Sequence, residues 1–306
     1  MIIRNAKEKD VRRIIEIHNT VYRTVSGFTP KSIERFMNWM SHPDISLERD
    51  YYVAENGGIL GYFGITSRKS ERRIGRGNLS GAVHPEHQRK GFGTQLMNFA
   101  LELSRKRKFK FIDTWVHGEL GQSQRFLEKF GFEIVRYFWD MRIENPKIGE
   151  IRFPEGIEVR NFVLGEDEQN LLDIYNNSFA EHWGHTDVTL EDIENWKKEK
   201  IFDPKGIFLA IHRDKIIGLC VNFIEEVNVL SKLQKIGIVG VLGVHTDYRR
   251  KGIGKALLLT GVKYLQKKKM KIVELGVDAE NPKAKNLYEG CGFREVRRGM
   301  VYRKKL

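Results

Sequence analysis

Ile236-Gly237-Ile238-Val239-Gly240-Val241-Leu242-Gly243-Val244-His245-Thr246-Asp247-Tyr248-Arg249-Arg250-Lys251-Gly252-Ile253-Gly254-Lys255 is the stretch whose reading decides the fold. Ile236 to Val244 is almost wholly apolar, the pattern of a central strand buried on both faces. It runs into a basic glycine turn. A helix follows from about Gly254 to Lys267, with Leu257, Leu258, Gly261, Val262 and Leu265 inward. A strand feeding such a turn and helix is an anion site by construction. Glycine lets backbone approach a ligand, and the first helical N–H groups have no internal acceptor. Arg249, Arg250, Lys251 and Lys255 add positive charge, so the natural guest is a pyrophosphate. The turn lacks the third glycine of a dinucleotide fingerprint and the Gly-Lys-Ser/Thr of a P-loop. Taken alone, it equally describes a tight strand-to-helix turn with no ligand.

The same pattern occurs earlier. Val83-His84 precedes Gln88-Arg89-Lys90-Gly91-Phe92-Gly93 as Val244-His245 precedes Arg249 to Gly254, an offset of 161 residues. The offset persists through Leu96 and Leu257, Lys110 and Lys271, Val116 and Val277, Gly131-Phe132 and Gly292-Phe293, and Arg142 and Arg303. Upstream it shrinks to 156, with Arg4-Asn5 matching Arg160-Asn161, so repeat two carries about five extra residues, most simply in Glu225 to Lys235. Residues 145–154, with Pro146, Gly149 and Pro154, read as a linker between domains 1–144 and 155–306.

Each repeat opens with a short strand, Ile2 to Arg4 or Glu158 to Arg160, and an amphipathic helix. A second short helix follows, with Thr29-Pro30 or Thr189-x-x-Asp192 as its start signal. In repeat two, strands Ile207 to Ile211 and Ile216 to Ile224 meet at the turn Arg213-Asp214. Beyond the glycine helix come a strand (Ile272 to Val277), a helix (Pro282 to Glu289) and a closing strand. The class is α/β, a mixed central sheet flanked by helices, occurring twice.

The chain has 306 residues, 41% hydrophobic and 30% charged, enough for two domain cores and not the composition of a disordered protein. Cys220 and Cys291 offer neither a disulfide framework nor metal-ligand spacing. No signal-like N-terminus and no bilayer-length apolar run is seen, so a cytoplasmic location away from membranes is expected. The net charge of +13 favours anionic ligands, nucleotides or RNA among them, or is a Lys-rich solvated surface.

The whole order resembles the GNAT superfamily of N-acetyltransferases, twice over. Its Arg/Gln-x-x-Gly-x-Gly/Ala turn is matched by Arg249 to Gly254 and by Gln88 to Gly93. Its second signature is matched by Asn281-x-x-Ala284-x-x-Leu287-Tyr288-x-x-x-Gly292-Phe293. The resemblance implies acetyl-CoA as cofactor, held by both turns' motif residues. It also implies direct transfer of the acetyl group to a primary amine of a small molecule or peptide. Such transfer needs a base for the ammonium, a donor for the oxyanion and a proton for the leaving thiolate. The resemblance assigns the proton to Tyr288, the oxyanion donor to a backbone N–H near Gly243 or Val244, and cofactor contact to Leu242-Gly243-Val244. The alternative for Tyr288 is a buried filler between helix and sheet, over which its place in the motif favours the acid, and Asn281 is a cofactor contact or a helix cap.

Repeat one differs at those positions: Leu127 stands for Tyr288, Leu120 for Asn281 and Ser123 for Ala284. It therefore reads as a scaffold or a non-catalytic CoA binder, the layout of the tandem, mycothiol synthase-like branch. In repeat two, Glu181, His182, Trp183 and His185 suit amine capture by charge, cation–π contact and proton uptake, or form a surface loop around a buried indole. His182 and His185 lack a third ligand, so no metal site is expected. The strand Ile236 to Val244 carries no acid, leaving Glu225, Glu226 or His182 through a water as the base. Two rivals stand beside the enzyme: an acyl-CoA sensor without turnover, and a basic protein bound to RNA or the ribosome, for which no nucleic-acid motif speaks.

Overall fold

In the computed structural model the described residues are 1–229 and 232–306, so the centre of the Glu225 to Lys235 insertion lies outside them. The chain divides into two compact units. One comprises Met1–Tyr137, Val227–Leu233 and Gly299–Leu306; the other Phe138–Glu226 and Gln234–Arg298.

The first unit holds strands β1 (Ile2–Asn5), β2 (Tyr51–Glu55), β3 (Ile59–Thr66), β4 (Arg76–Val83) and β5 (Phe111–His117). Strands β1 to β4 pair antiparallel in sequence order, and β4 and β5 pair parallel. Helices α1 (Val11–Tyr22), α2 (Ile33–Met40) and α3 (Leu47–Asp50) precede β2, and α4 (Lys69–Ile74) joins β3 to β4. Ile14, Ile15 and Phe36 cover one sheet face, against Val53 and Tyr62. Helices α5 (Phe92–Lys106) and α6 (Gly121–Lys129) cover the other, through Leu96, Met97, Ala100 and Leu127. Strand β6 (Glu133–Glu144) then leaves this unit at Phe138.

The second unit repeats the plan. Its elements are β7 (Glu158–Asn161), α7 (Glu168–Phe179), α8 (Leu190–Lys197), β8 (Ile207–His212), β9 (Lys215–Val229), β10 (Lys232–Val244), α9 (Ile253–Lys267), β11 (Ile272–Asp278), α10 (Pro282–Glu289) and the start of β12 (Arg294–Lys305); β9 from Val227, β10 through Leu233 and β12 from Gly299 belong to the first unit. Leu171, Ile174 and Ile193 pack on Leu209, Leu219 and Val221 on one face. Leu257, Leu258, Val262 and Leu265 fill the other with Val273, Leu275 and Tyr288.

The compact units are not the sequence repeats. Strand β11 pairs antiparallel with β6, which belongs to repeat one, and β5 pairs antiparallel with β12, which belongs to repeat two. Met141 is fully buried in the second unit's core, and Tyr302 in the first's. Two ion pairs mark the exchange. Arg142 Nε donates to Glu274 Oε1 at 2.8 Å, and Arg303 Nε donates to Asp113 Oδ1 at 2.7 Å. Arg142 corresponds to Arg303, and Asp113 to Glu274, at the same offset of 161, so the exchange is reciprocal. Nor is 145–154 a free linker. Ile148 and Phe153 pack on the second unit's core, and Asn145 N–H donates to Lys271 O at 2.7 Å.

Local signals fared unevenly. The Thr189 hydroxyl accepts from Asp192 N–H at 3.3 Å and caps α8. Arg213 and Asp214 turn with φ of 48° and 62°. The Thr29-Pro30 start signal is incorrect. Helix α2 begins three residues later, where the Ser32 hydroxyl accepts from Arg35 N–H, because Asn19 of α1 holds the Lys31 backbone through two hydrogen bonds.

Candidate active site

Two neighbouring strands open a gap in the second unit. Strands β10 and β11 are in register only at Gly237–Val273, Ile238–Glu274 and Val239–Leu275, although they run on to Val244 and Asp278. The β10 backbone from Gly240 to Val244 thus has no ladder partner on that side. Such an edge can take a ligand's amide groups and supply the N–H expected of Leu242, Gly243 or Val244. Gly243 also meets a packing need, since a Cβ there would lie 2.6 Å from Leu219 Cδ2 and 2.7 Å from Ser178 Cβ. First-unit strands β4 and β5 part the same way after Asn78–Asp113.

At the end of β10 the chain turns into α9. Gly252 is the N-cap with φ of 84°, where an L side chain is strained, and Arg250 precedes it at 67°. Arg250, Lys251, Gly252 and Lys255 are exposed, Ile253 is buried and Gly254 half-buried. A Cβ at Gly254 would meet Val244 and Leu287 only at ordinary contact, 3.6 and 3.8 Å, so its absence leaves room rather than relieving a clash. Lys251 Nζ lies 5.1 Å from the centre of the Tyr248 ring. Arg249 braces the turn: Nε donates to Val244 O at 3.2 Å, Nη2 to Ser178 O at 3.0 Å and Nη1 to Glu181 Oε2 at 3.0 Å. Gln88 makes the matching bond in repeat one, to Val83 O at 2.9 Å. There Arg89 (62°), Lys90, Gly91 (83°), Phe92 and Gly93 reproduce the turn.

Tyr288, on α10, is 8% exposed and packs beside Phe293 at 6.2 Å between ring centres. Its phenol makes no hydrogen bond among the described residues. Burial, with the thiols of Cys220 and Cys291 nearby, pushes its pKa up to about 12, so it holds its proton at neutral pH. Leu127 occupies the position in the first unit and lies wholly within its core. Asn281 caps α10, its Oδ1 accepting from Ala284 N–H at 3.1 Å.

The loop after α7 comes to the glycine turn. Glu181 is held by Arg249, which lessens its freedom to bind an amine. His182 stacks edge-on to Phe179 at 4.6 Å. Burial lowers its pKa below the ordinary histidine value, with Arg249 reinforcing and Asp278 opposing the shift, so it is neutral at pH 7. Trp183 meets Phe138 edge-on at 6.5 Å. His185 lies against Tyr175 at 6.4 Å, with Nε2 buried, unbonded and 3.5 Å from Asp187. Glu225 and Glu226 lie on β9, half-buried and exposed respectively. Asp278, at the open end of β11 and within electrostatic reach of His182, was not legible as a site residue. Its signal was position alone, the last residue of a strand that parts from its neighbour.

The acetyltransferase (GNAT) family profile matches residues 168–293, and a GNAT domain profile matches residues 48–134. The mycothiol acetyltransferase of Renibacterium salmoninarum is 34% identical over 71% of this chain, which spans 64% of that protein's length. That of Streptomyces coelicolor is 31% identical over 72% of this chain and 69% of its own. In fold, the chain matches a tandem GNAT protein from the clavulanic acid biosynthesis pathway, with a TM-score of 0.77 at 15% identity over 99% and 98% of the two chains. Among the described residues no helix is long and apolar enough to cross a membrane. The chain belongs to the GNAT family of acetyltransferases, enzymes whose acetyl donor is acetyl-CoA, and carries two of the family's domains in tandem.

Proposed function

We propose that this protein transfers the acetyl group of acetyl-CoA directly to the primary amine of a small molecule, in the second unit. The observation that carries the reading is the opening between β10 and β11 beside the Gly252 turn, together with the unbonded, protonated phenol of Tyr288 in the core that Leu242 and Val244 of β10 pack against. The turn and α9 N-terminus take the pyrophosphate, with Arg250, Lys251 and Lys255 adding charge. Backbone N–H at the β10 edge meets the oxyanion, and Tyr288 protonates the departing thiolate. His182 serves as base, directly or through a water. It is neutral at pH 7 and lies by the strand opening, which favours it over Glu225 and Glu226. Asp278 and Trp183 then orient the amine. The first unit keeps the turn and the opening but has Leu127 in place of the acid, which makes it a scaffold or a binder without turnover.

A thiol-release screen with acetyl-CoA tests the reading, using aminosugars, polyamines, peptides and small amines. Amines related to mycothiol enter first, because the relatives carry that name. Turnover confined to small amines is the expected result. Acetyl-CoA binding without turnover on any pool would favour a sensor, and salt-sensitive retention on RNA would favour the basic-surface reading.

A further inference from the structure

The first unit carries a cluster that acetyl transfer does not use. One ring nitrogen of His84, one of His87 and a carboxylate oxygen of Glu86 lie within 4.8 Å of one another, the one such set of metal-type donors among the described residues. The backbone fixes their bases. His84 directly follows β4, and Glu86 and His87 sit on the single turn Pro85–His87. His84 N–H donates to Leu60 O, and His87 N–H to His84 O, both at 2.8 Å. The His84 side chain is 13% exposed, and its Nδ1 is buried with no hydrogen bond. Glu86 Oε2 stands 3.8 Å from that nitrogen, too far to satisfy it, on a side chain that is 80% exposed and able to rotate. The two imidazole rings are 5.8 Å apart. A buried ring nitrogen with no partner is costly, and a coordinated cation would remove that cost.

We propose that His84, Glu86 and His87 bind a divalent first-row transition cation. Two imidazoles and a carboxylate suit zinc and its neighbours, and three protein ligands leave a position open to water or an external ligand. Ligand atoms about 2.0–2.1 Å from a tetrahedral zinc stand roughly 3.3 Å apart. The present spacing closes to that by side-chain rotation, chiefly of Glu86. The second repeat supplies an internal comparison. At the offset of 161 it has His245, Asp247 and Tyr248. Tyrosine replaces the third ligand, and His245 Nδ1 already accepts the Asp247 N–H at 3.3 Å. The turn thus persists in the second repeat without the donor set.

The test is a Zn2+ titration of the whole protein against a chromophoric chelator, with the Co2+ absorption spectrum reporting the ligand set. The wild type should hold one equivalent. His87→Tyr installs the residue that the second repeat already carries at that place, and Glu86→Gln alters an exposed side chain; circular dichroism should show both folded. Loss of even an outer partner of a metal ligand costs about 10- to 100-fold in affinity, so each variant should bind at least tenfold more weakly. The proposal is overturned if the wild type retains no equivalent, or if wild type and folded variants bind alike, which would place the ion elsewhere.

Discussion

Tyr288→Phe removes one oxygen and keeps the ring. The ring's packing beside Phe293 is unchanged, and the phenol had no hydrogen-bond partner among the described residues. Stability should therefore shift by no more than about 1 kcal/mol. The catalytic effect should be far larger. With its pKa near 12, the phenol is fully protonated at assay pH and ready to donate to the leaving sulfur. Removing a positioned general acid costs on the order of 100- to 10,000-fold in rate. That corresponds to roughly 3–5 kcal/mol of barrier. Acetyl-CoA binding should change little, because the ground-state thioester carries no charge at sulfur. Thiol release at saturating substrates gives kcat, and calorimetry gives the acetyl-CoA Kd. A kcat within a few-fold of wild type would refute the role of Tyr288 as acid. A Kd that rises as far as kcat falls would make the phenol a binding group instead.

Gly252→Asp should abolish acetyl-CoA binding, by strain at φ of 84° and by a negative charge beside the pyrophosphate, whereas Gly91→Asp should leave turnover largely intact; loss of turnover in folded Gly91→Asp would make the first turn functional in its own right. The strand exchange is checked by double-mutant cycles in urea. Arg142→Met should couple to Glu274→Gln by about 0.5–3 kcal/mol and add independently to Asp113→Asn, while Arg303→Met shows the opposite preference. Asp167, 2% exposed, is held by Arg160 at a pKa of about 2, down from 3.8. A depressed carboxylate stabilises the fold above its unfolded pKa, so this contribution, roughly 2 kcal/mol, should be complete at pH 7, start to fall near pH 4 and be lost as the pH drops through about 2. Denaturation of Asp167→Asn should show its full deficit at pH 7 and only a small remainder at pH 2.

Much of the candidate site was written in local chemistry. A basic turn between an apolar strand and an amphipathic helix needs Gly252 at positive φ, and the turn's conformation follows from those few residues. The same holds for the capping box at Thr189 and for Tyr288, whose absence at Leu127 separates the repeats without any coordinates. Arg249 and Glu181 were legible as charged residues but not as a pair, because the loop after α7 reaches the turn only when the unit folds. His182 and Asp278 come within electrostatic reach of each other across 96 residues of chain for the same reason.

The repeat, the strand–turn–helix order and the chemical inventory of each half follow from the sequence by itself, because periodicity and turn chemistry act over a few residues. Which closing strand completes which sheet does not. Strands β6 and β12 carry the same pattern at an offset of 161, with Arg142 and Arg303 in equivalent places. Either arginine could meet either carboxylate as far as local pattern goes. Only the tertiary structure sends Arg142 to Glu274 and Arg303 to Asp113, because strand pairing is a long-range choice that no local propensity encodes.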